Sequence, residues 1–434
     1  MTGRALRFMS GVPVKRRALL VLLVLVVAAG GALAFLSVDR CGEWPTRPAA
    51  LTHLGRGQGY LKAGAAKVEL KPRYPLAVGG YGPPRATVDH ALAPLAARAL
   101  VLEVGGQRLG LVLFDALLVP PQLRDAVGKD LPYQVWVLAT HTHSGPSGFD
   151  PRSAAELGAL GTFSQGDLDV LSQAGRAALE QAVASLVPAK VELGEALTEG
   201  VTVPRSGSAA DSRLTRVRFD GAEGPVAQLV VLSAHPALVA PRPDGLHPDW
   251  PGLLAERLES EKGPVTLVLQ GAAGNASVDR SKHATPEALA EALATRVKDT
   301  PTAEQPEALL AAWSEVQVAL PRPTAERLVP APFRAAAENA LCDDAEDIAL
   351  VHGLRLGDLR LLFVPFEPSF AAGLVLEQQS KTTRVVSLAD GYAGYLETVE
   401  AARKNEGEAR RQYFSAELLT RVAEGAALAG QPLD

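Results

Sequence analysis

The stretch Gln134-Val-Trp-Val-Leu-Ala-Thr-His-Thr-His-Ser-Gly-Pro146 combines a clear strand pattern with the most closely spaced pair of histidines in the chain. Its first part, Gln134 to Ala139, is a short Val-rich apolar run of the kind found in buried strands. His141 and His143 follow directly, and residues two apart in an extended segment face the same side. Neutral imidazole suits Zn²⁺, and open sheets place active sites at strand ends. The stretch therefore predicts a metal or catalytic site; two hydrogen-bonded loop histidines are the alternative.

On both sides of this stretch, short apolar runs alternate with turn residues and with stretches of helical spacing. The predicted strands are Ala99 to Val104, Leu109 to Phe114, Gln134 to Ala139, Leu214 to Phe219, Ala227 to Leu232, Val265 to Leu269, Ala349 to Leu356, Arg360 to Val364 and Thr383 to Leu388. The predicted helices are Leu168 to Val187, Leu253 to Ser260 and Pro286 to Val297. This alternation predicts an α/β fold of layered mixed sheets flanked by helices, in a single large catalytic domain. The Ala-, Pro- and Glu-rich region from about 301 to 347 is expected to embellish that core.

Other polar residues also follow predicted strands directly. They are His235, the small-residue segment Gln270 to Ser277, Glu367, and the pair Tyr392 and Tyr395. Small residues allow a substrate to approach the backbone, which makes Ser277 a candidate nucleophile or hydrogen-bonding partner at a metal site. It lacks a Gly-x-Ser-x-Gly elbow, so a serine triad is weakly indicated. Taken singly, a loop glutamate or a strand-end tyrosine is more often structural. Together these residues favour metal-assisted hydrolysis.

Composition excludes several classes of protein. Of the 434 residues, 47% are apolar and 21% charged, with a formal net charge of -5, which is typical of a globular protein with a sizeable core. The sequence has no basic patch interleaved with aromatic residues, so it does not indicate a nucleic-acid partner. The two cysteines, Cys41 and Cys342, exclude a thiolate zinc site and a disulfide-dense scaffold. They permit one disulfide or two unpaired thiols.

The N-terminal region predicts export. Residues 1–17 form a basic stub, and residues 18–38 are an apolar run without a charge until its end, long enough to cross a hydrocarbon core. The run is interpreted as a transmembrane anchor or a cleaved signal segment. Residues 39–58 are expected to be a linker, followed by the catalytic domain at 59–434. The chain is then either membrane-anchored, facing the periplasm or the extracellular space, or secreted after cleavage.

Several of these stretches together resemble the neutral, non-lysosomal ceramidase family. Thr140-His-Thr-His-Ser-Gly-Pro146 is similar to that family's signature almost letter for letter. The resemblance covers about residues 60 to 400. Further similar stretches follow in the family's order, namely Ala63-Gly-Ala-Ala-Lys-Val-Glu-Leu70, Gly80-Tyr-Gly82, Ala97-Arg-Ala-Leu100, Pro204-Arg-Ser-Gly-Ser208, Ala234-His-Pro236, Asp249-Trp-Pro-Gly252, Gln270 to Ser277, Pro365-Phe-Glu367 and Tyr392-Ala-Gly-Tyr-Leu-Glu-Thr398.

The resemblance implies zinc-dependent hydrolysis of the amide bond of ceramide or a related N-acyl lipid. It implies a lipid-like small-molecule substrate, reached from a membrane to which the N-terminal segment would tether the protein. The implied zinc ligands are His141, His235, Glu367 and Tyr395, with a water completing the shell. The implied catalytic residues beside the metal are His143, Arg205 and Ser277.

The chain also departs from the family pattern. Asn275 stands where the family has an acidic residue. Glu367 is flanked by Phe366 and Pro368, which differ from the residues beside the family's glutamate. A second family tyrosine has no clear counterpart, with Asn405 and Tyr413 as the nearest candidates, and the chain ends before the family's immunoglobulin-like domain. Three alternatives therefore stand beside the zinc amidohydrolase. They are a hydrolase acting on a different amide or ester, a serine hydrolase using Ser277, and a non-catalytic lipid-binding relic of the same fold.

Overall fold

One long strand, β1 (Ala50–Glu69), joins the sheets of the protein. In the computed structural model, which describes residues 21–23, 30–31, 38–39, 41–44, 46–82, 87–241 and 243–433, β1 pairs with three other strands. Its first half is antiparallel to β14 (Ala308–Ala319), and its second half is antiparallel to β4 (Ala96–Val104) and contacts β7 (Val187–Leu197). Residues 50–58, expected to be linker, are therefore part of the sheet.

The remaining elements surround this strand. The other strands are β2 (Leu76–Ala77), β3 (Thr87–Val88), β5 (Gln107–Phe114), β6 (Gln134–Ala139), β8 (Thr202–Pro204), β9 (Arg213–Gly221), β10 (Gly224–Leu232), β11 (Val265–Gln270), β12 (Ala276–Val278), β13 (Ala303–Glu304), β15 (Ile348–Leu356), β16 (Leu359–Phe363), β17 (Glu367–Pro368), β18 (Arg384–Val386) and β19 (Tyr395–Leu396). The α-helices are α1 (Pro121–Gly128), α2 (Ser153–Ala155), α3 (Gln165–Ala184), α4 (Asp249–Glu259), α5 (Pro286–Asp299), α6 (Arg334–Asp344), α7 (Phe370–Ser380), α8 (Val399–Lys404) and α9 (Leu418–Gly430).

Thirteen of the described strands form a large mixed sheet whose main path is β11-β10-β9-β7-β1-β14-β15-β16-β18, with β4, β5 and β6 branching from β1 and β13 pairing with β7. Successive residues of one strand face different layers. In β4, Leu100 and Leu102 enter a core between sheets, whereas Ala99 and Val101 pack beneath α3. Such strands are buried on both faces, which explains why they are continuous apolar runs. The α/β fold of mixed sheets flanked by helices is therefore confirmed.

The parallel pairs set the position of the site. β5 pairs parallel with β6, β10 with β11, and β16 with β18. The segments that follow β6, β10, β16 and β18 carry the strand-end histidines, glutamate and tyrosines of the sequence. Open α/β sheets bind ligands outside the carboxyl ends of their strands, and the same arrangement is found here.

The region 301–347 is not a peripheral embellishment, so that expectation was wrong. β14 lies between β1 and β15, and its Trp313 is almost fully buried. A side chain at Gly55 of β1 would collide with the Trp313 ring, so glycine is required where the two strands meet. The predicted helix ending at Val187 is also corrected, because α3 ends at Ala184 and Val187 begins β7.

Two features concern the N-terminal region. Within the described ranges, no helix is long and apolar enough to cross a membrane. The stub 1–17 and most of the predicted segment 18–38 lie outside the described residues. Cys41 and Cys342 form a disulfide, with their Cα atoms 5.4 Å apart. This bond ties the segment before β1 to helix α6 and decides between the two alternatives left open by the sequence.

Candidate metal centre

The two histidines of the quoted stretch lie just beyond the end of β6. His141 has a left-handed backbone conformation, with φ at 69°, and its N–H donates to the carbonyl of Ala116 at 2.9 Å. Left-handed backbone is costly for a residue other than glycine and is concentrated at functional sites. The segment is therefore not simply extended, yet the rings of His141 and His143 still meet, with centroids 4.8 Å apart.

The third histidine arrives from β10. The backbone N–H of His235 donates to the carbonyl of Ala276 at 3.0 Å, which fixes it beside β12. Its ring centroid lies 4.9 Å from that of His141 and 5.7 Å from that of His143. One ligand atom from each of the three histidines can be chosen so that all lie within 4.8 Å of one another. These three residues can hold a metal ion.

Glu367 and Tyr395 are brought to the histidines by a short pair of strands. β17 and β19 pair in parallel with Glu367 opposite Tyr395. Glu367 Oε2 lies 3.2 Å from His141 Nε2 and 3.1 Å from His235 Nε2, and the Tyr395 hydroxyl lies 3.3 Å from His235 Nε2. Zinc bonds of about 2.0–2.1 Å place neighbouring ligands roughly 3–4 Å apart, so these separations fit a single ion.

Backbone carbonyls orient all three imidazoles. His141 Nδ1 lies 2.8 Å from the carbonyl of Leu117, His143 Nδ1 lies 2.8 Å from that of Gly80, and His235 Nδ1 lies 2.9 Å from that of Ala273. A carbonyl can only accept, so each Nδ1–H donates, and in the neutral imidazole Nε2 then keeps its lone pair. Metal-binding histidines are usually fixed in this way.

The donor atoms lie against one another but make no hydrogen bond to the rest of the described residues. His141 Nε2, His143 Nε2 and Glu367 Oε2 are buried, and the short separations of Glu367 Oε2 from His141 Nε2 and His235 Nε2 lie within the group itself. Such groups are rare in native interiors, because each costs about 1–3 kcal/mol to leave unsatisfied. Their proximity and their chemistry, imidazole nitrogen with carboxylate oxygen, fit a bound Zn²⁺.

Charges at the site favour the metal-binding forms of Glu367 and His143. Burial opposes protonation of His141, but the Glu367 carboxylate outweighs it and raises the pKa of that imidazole. Burial opposes ionisation of Glu367, but His141 and His235 outweigh it and hold the pKa of this carboxyl well below its usual range. Burial, together with the neighbouring His141 and His235, holds the pKa of His143 well below its usual range. Glu367 is thus a carboxylate and His143 a neutral imidazole near neutral pH, which are the forms that bind metals.

Tyr392 belongs to the site, although a strand-end tyrosine is by default a packing residue. Its hydroxyl donates to Glu367 Oε1 at 2.6 Å, which fixes the carboxylate that faces the histidines. Burial and the Glu367 charge raise the pKa of Tyr392 well above its usual range, so the hydroxyl stays a donor.

Arg205 reaches the site through Tyr395. Its Nη2 donates to the Tyr395 hydroxyl at 3.1 Å, and its guanidinium lies 5.4 Å from the centroid of that ring. The buried Glu408 holds Arg205 from the other side, with oxygens 3.2 and 3.3 Å from Arg205 nitrogens, and also accepts from Ser206 Oγ at 2.6 Å. No local sequence signal pointed to Glu408.

Ser277 is placed near these groups by backbone pairing. It lies on β12 opposite Val203 of β8. Two residues further along this strand pair, Arg205 N donates to the carbonyl of Asn275 at 2.8 Å. The Ser277 side chain is half-buried. In the part of the chain that the structure describes, no hydrogen bond joins Ser277 Oγ to a histidine, which disfavours a serine triad.

Asn275 has a structural explanation. Its Nδ2 donates to the carbonyls of Ser206 at 2.8 Å and Ala209 at 2.9 Å, and its Oδ1 accepts from Phe370 N at 2.9 Å. An aspartate could not donate to either carbonyl. The side chain therefore joins two loops and contributes no charge to the metal site.

A cavity of about 320 Å³ opens onto the metal residues. Its metal end contains His141, His143, Glu367 and Tyr395. Its other walls are built by α2 and the π-helical turn Glu156–Leu160 that follows it, by the end of α6, and by Tyr413 and Phe414.

Comparisons with known proteins agree with this architecture. No known family model matches the chain, and no curated protein matches it. Among solved structures, neutral ceramidase from Pseudomonas aeruginosa superposes with a TM-score of 0.71 at 18% identity, over 86% of this chain and 75% of that one. A ceramidase complexed with C2 superposes with a TM-score of 0.69 at 17% identity, over the same shares of the two chains.

The fold and the site together define an α/β protein with a buried histidine group that can hold a metal ion. The large mixed sheet, its flanking helices and the superpositions assign the chain a neutral ceramidase-like fold.

Proposed function

We propose that the protein is a zinc-dependent amidohydrolase that cleaves ceramide or a related N-acyl lipid. The observation that carries this proposal is the group of buried imidazole and carboxylate donor atoms that converge at the metal end of the cavity without a hydrogen bond to other described residues. A structural zinc site is closed on all sides by protein ligands, whereas a catalytic one keeps a position open to a substrate space. The cavity beside His141, His143 and Glu367 favours the catalytic kind.

The proposed ligands are His141, His235, Glu367 and Tyr395. When bound, zinc supplies a Lewis acid that polarises the amide carbonyl and lowers the pKa of a water molecule to about 7. His143 Nε2 also lies close enough to be considered a ligand. We assign it instead to proton transfer, because it faces the cavity as a neutral base that can take a proton from the attacking water and pass it to the leaving amine.

We assign to Arg205 and Ser277 the stabilisation of the negative charge that develops on the carbonyl oxygen. A guanidinium held by a buried carboxylate needs little reorganisation as charge develops, which is how preorganised donors stabilise transition states. The Ser277 hydroxyl would add a neutral donor. The non-catalytic alternative was based in part on the departure from the family pattern at Asn275. Because the Asn275 side chain joins two loops, that departure has a structural explanation and favours the alternative less.

The size of the cavity limits the substrate. Ligand pockets span roughly 300–1,000 Å³, and 320 Å³ is at the small end of that range. Two long alkyl chains would not fit together inside it. We therefore favour an N-acyl lipid with one chain in the cavity and the rest of the molecule outside.

Zinc-loaded protein should release fatty acid from a fluorescent ceramide or from simpler N-acyl amides, and a chelator should abolish release until zinc is restored. Ser277→Ala should slow turnover without removing zinc, and acyl-serine traps should have no effect. Lipid binding without turnover in the zinc-loaded protein would favour the non-catalytic alternative. Inhibition by an acyl-serine trap, with no effect of chelation, would favour a serine hydrolase.

We also propose that the protein is exported. A basic segment before an apolar run is typical of export signals and anchors. The Cys41–Cys342 disulfide supports this, because such bonds persist in oxidising compartments. Cell fractionation with protease accessibility would test export, and the mass of the mature N-terminus would distinguish an anchor from a cleaved signal.

A further inference from the structure

The wall of the catalytic cavity is shared with a second space. A groove of about 760 Å³ lies on the outer side, lined among others by Trp44, Arg124 and Lys129. Ala345 and Glu346 line both the groove and the cavity. These two residues directly follow α6 and separate the two spaces at this point.

Glu346 is held loosely compared with its neighbours. Among the described residues, its charged partner is Arg152, whose Nη1 lies 4.0 Å from Glu346 Oε1. Arg152 is itself fixed by Asp150 Oδ2 at 2.6 Å and by the carbonyl of Tyr392 at 3.1 Å. Asp344, two residues earlier, accepts from two backbone N–H groups of α2. The Glu346 side chain can therefore move without breaking a hydrogen bond that anchors the wall.

Much of the cavity wall suits an alkyl chain, beside the charged Arg152 and Asp344 that also line it. Ala154, Ala155, Ala159, Leu341 and Phe414 line the cavity, so most of this wall is methyl, methylene or ring surface. Burial raises the pKa of Glu346 to about 7 against the opposing effect of Arg152 and Arg124. Its uncharged form is therefore accessible near neutral pH, which lowers the cost of contact with a hydrocarbon.

We propose that the Glu346 side chain is the stop that limits the length of the alkyl chain accepted by the cavity. The proposal rests on the proposed function, because it assumes an N-acyl lipid whose chain enters from the metal end. Its basis is steric: a shorter side chain at this position joins the cavity to the groove and lets a longer chain continue outward. Glu346 is thus a specificity-determining residue.

Binding of straight-chain fatty acids of increasing length to the zinc-loaded protein tests this stop without requiring turnover. In the wild-type protein, affinity should rise with length and then level off once the cavity is filled. In Glu346→Ala, the rise should continue through longer chains by up to roughly fourfold per added methylene, which corresponds to burying one CH₂ group. Glu346→Gln keeps the volume and should retain the wild-type limit.

Asp347→Ala is the matched control, because Asp347 lines the groove but not the cavity. It should leave the length limit unchanged. An identical limit in wild type and Glu346→Ala would overturn the proposal, as would an equal shift in Glu346→Gln or no fatty-acid binding at all. Turnover of an N-acyl amide series run in parallel tests the proposed function separately, since chain binding can show the stop even if no amide is cleaved.

Discussion

At the scale of single residues, three backbone carbonyls decide how the site presents its ligands. The carbonyls of Leu117, Gly80 and Ala273 each accept the Nδ1–H of one histidine, so every Nε2 is left for a metal ion or a proton. The sequence placed the histidines at strand ends, but these carbonyls come from distant segments. They were therefore not predictable from local pattern.

Gly80→Ala should disrupt this orientation. Gly80 has φ at 143°, and a Cβ there would overlap the backbone of His143, the residue whose ring the Gly80 carbonyl holds. We expect the free energy of unfolding to fall by about 2–4 kcal/mol. Denaturant unfolding would measure this. Gly106→Ala is the control, since Gly106 also has positive φ, at 77°, but open space around its Cα. Equal losses in the two variants would contradict the steric explanation.

Asn275→Asp tests the structural role of this amide. The variant loses two donors and directs a carboxylate at the carbonyls of Ser206 and Ala209. We expect a loss of about 2–3 kcal/mol in the free energy of unfolding, measured by denaturant titration. The exposed Asn405 provides the control variant Asn405→Asp, which should change stability by less than about 0.5 kcal/mol. A stable Asn275→Asp protein would show that the amide is dispensable.

At the scale of elements, sequence and structure agree where a strand is continuously apolar and differ where it is rich in glycine or alanine. β6 has the predicted bounds, and β10 and β11 are within three residues of theirs. β1 was missed because its glycines read as turns, whereas they allow close packing against Trp313 and the backbone of Val104. β14 was missed because composition alone cannot identify the tertiary pairing that places it between β1 and β15.

The 3₁₀ turn Gly407–Arg411 is the element that supports Arg205. Glu408 in this turn is almost fully buried and binds Arg205, Arg411 and Ser206. Glu408→Gln removes the charge that holds the Arg205 guanidinium against Tyr395. We expect kcat for amide hydrolysis to fall about 10- to 100-fold, with KM and zinc content changing little.

Glu400→Gln is the control for this prediction. Glu400 also pairs with a cation, Lys404, but on the exposed surface of α8, where solvent screens the pair. Its kinetics should match those of the wild-type protein. Wild-type kcat in Glu408→Gln would show that Arg205 needs no support from this turn.

At the scale of the whole molecule, the disulfide joins parts of the chain that are far apart in sequence. Cys41 and Cys342 are 301 residues apart, so their bond restricts a long loop of the unfolded chain. We expect the double variant Cys41→Ser, Cys342→Ser to lose about 2–5 kcal/mol of stability under oxidising conditions. Thermal unfolding with and without reductant would measure this. The variant should not respond to reductant; an unchanged Tm for the reduced wild-type protein would contradict the expectation.

The candidate site is a product of the whole fold. Histidines after β6 and β10, a glutamate after β16 and tyrosines after β18 meet because the fold brings the carboxyl ends of three separate parallel pairs together. The sequence identified each of these positions, since polar residues directly after apolar strands are a local signal. It did not identify Glu408, the orienting carbonyls or the wall at Glu346, because those depend on packing between distant segments.

The central claim is that these strand ends hold one catalytic zinc ion. Metal analysis of purified protein tests it most directly, using wild type, His141→Ala and His53→Ala, in which an exposed histidine of β1 serves as the control. We expect about one zinc per chain in the wild-type protein and in His53→Ala, and at least a tenfold loss of zinc affinity in folded His141→Ala. Full zinc binding by His141→Ala, or no zinc in the wild-type protein after reconstitution, would contradict it.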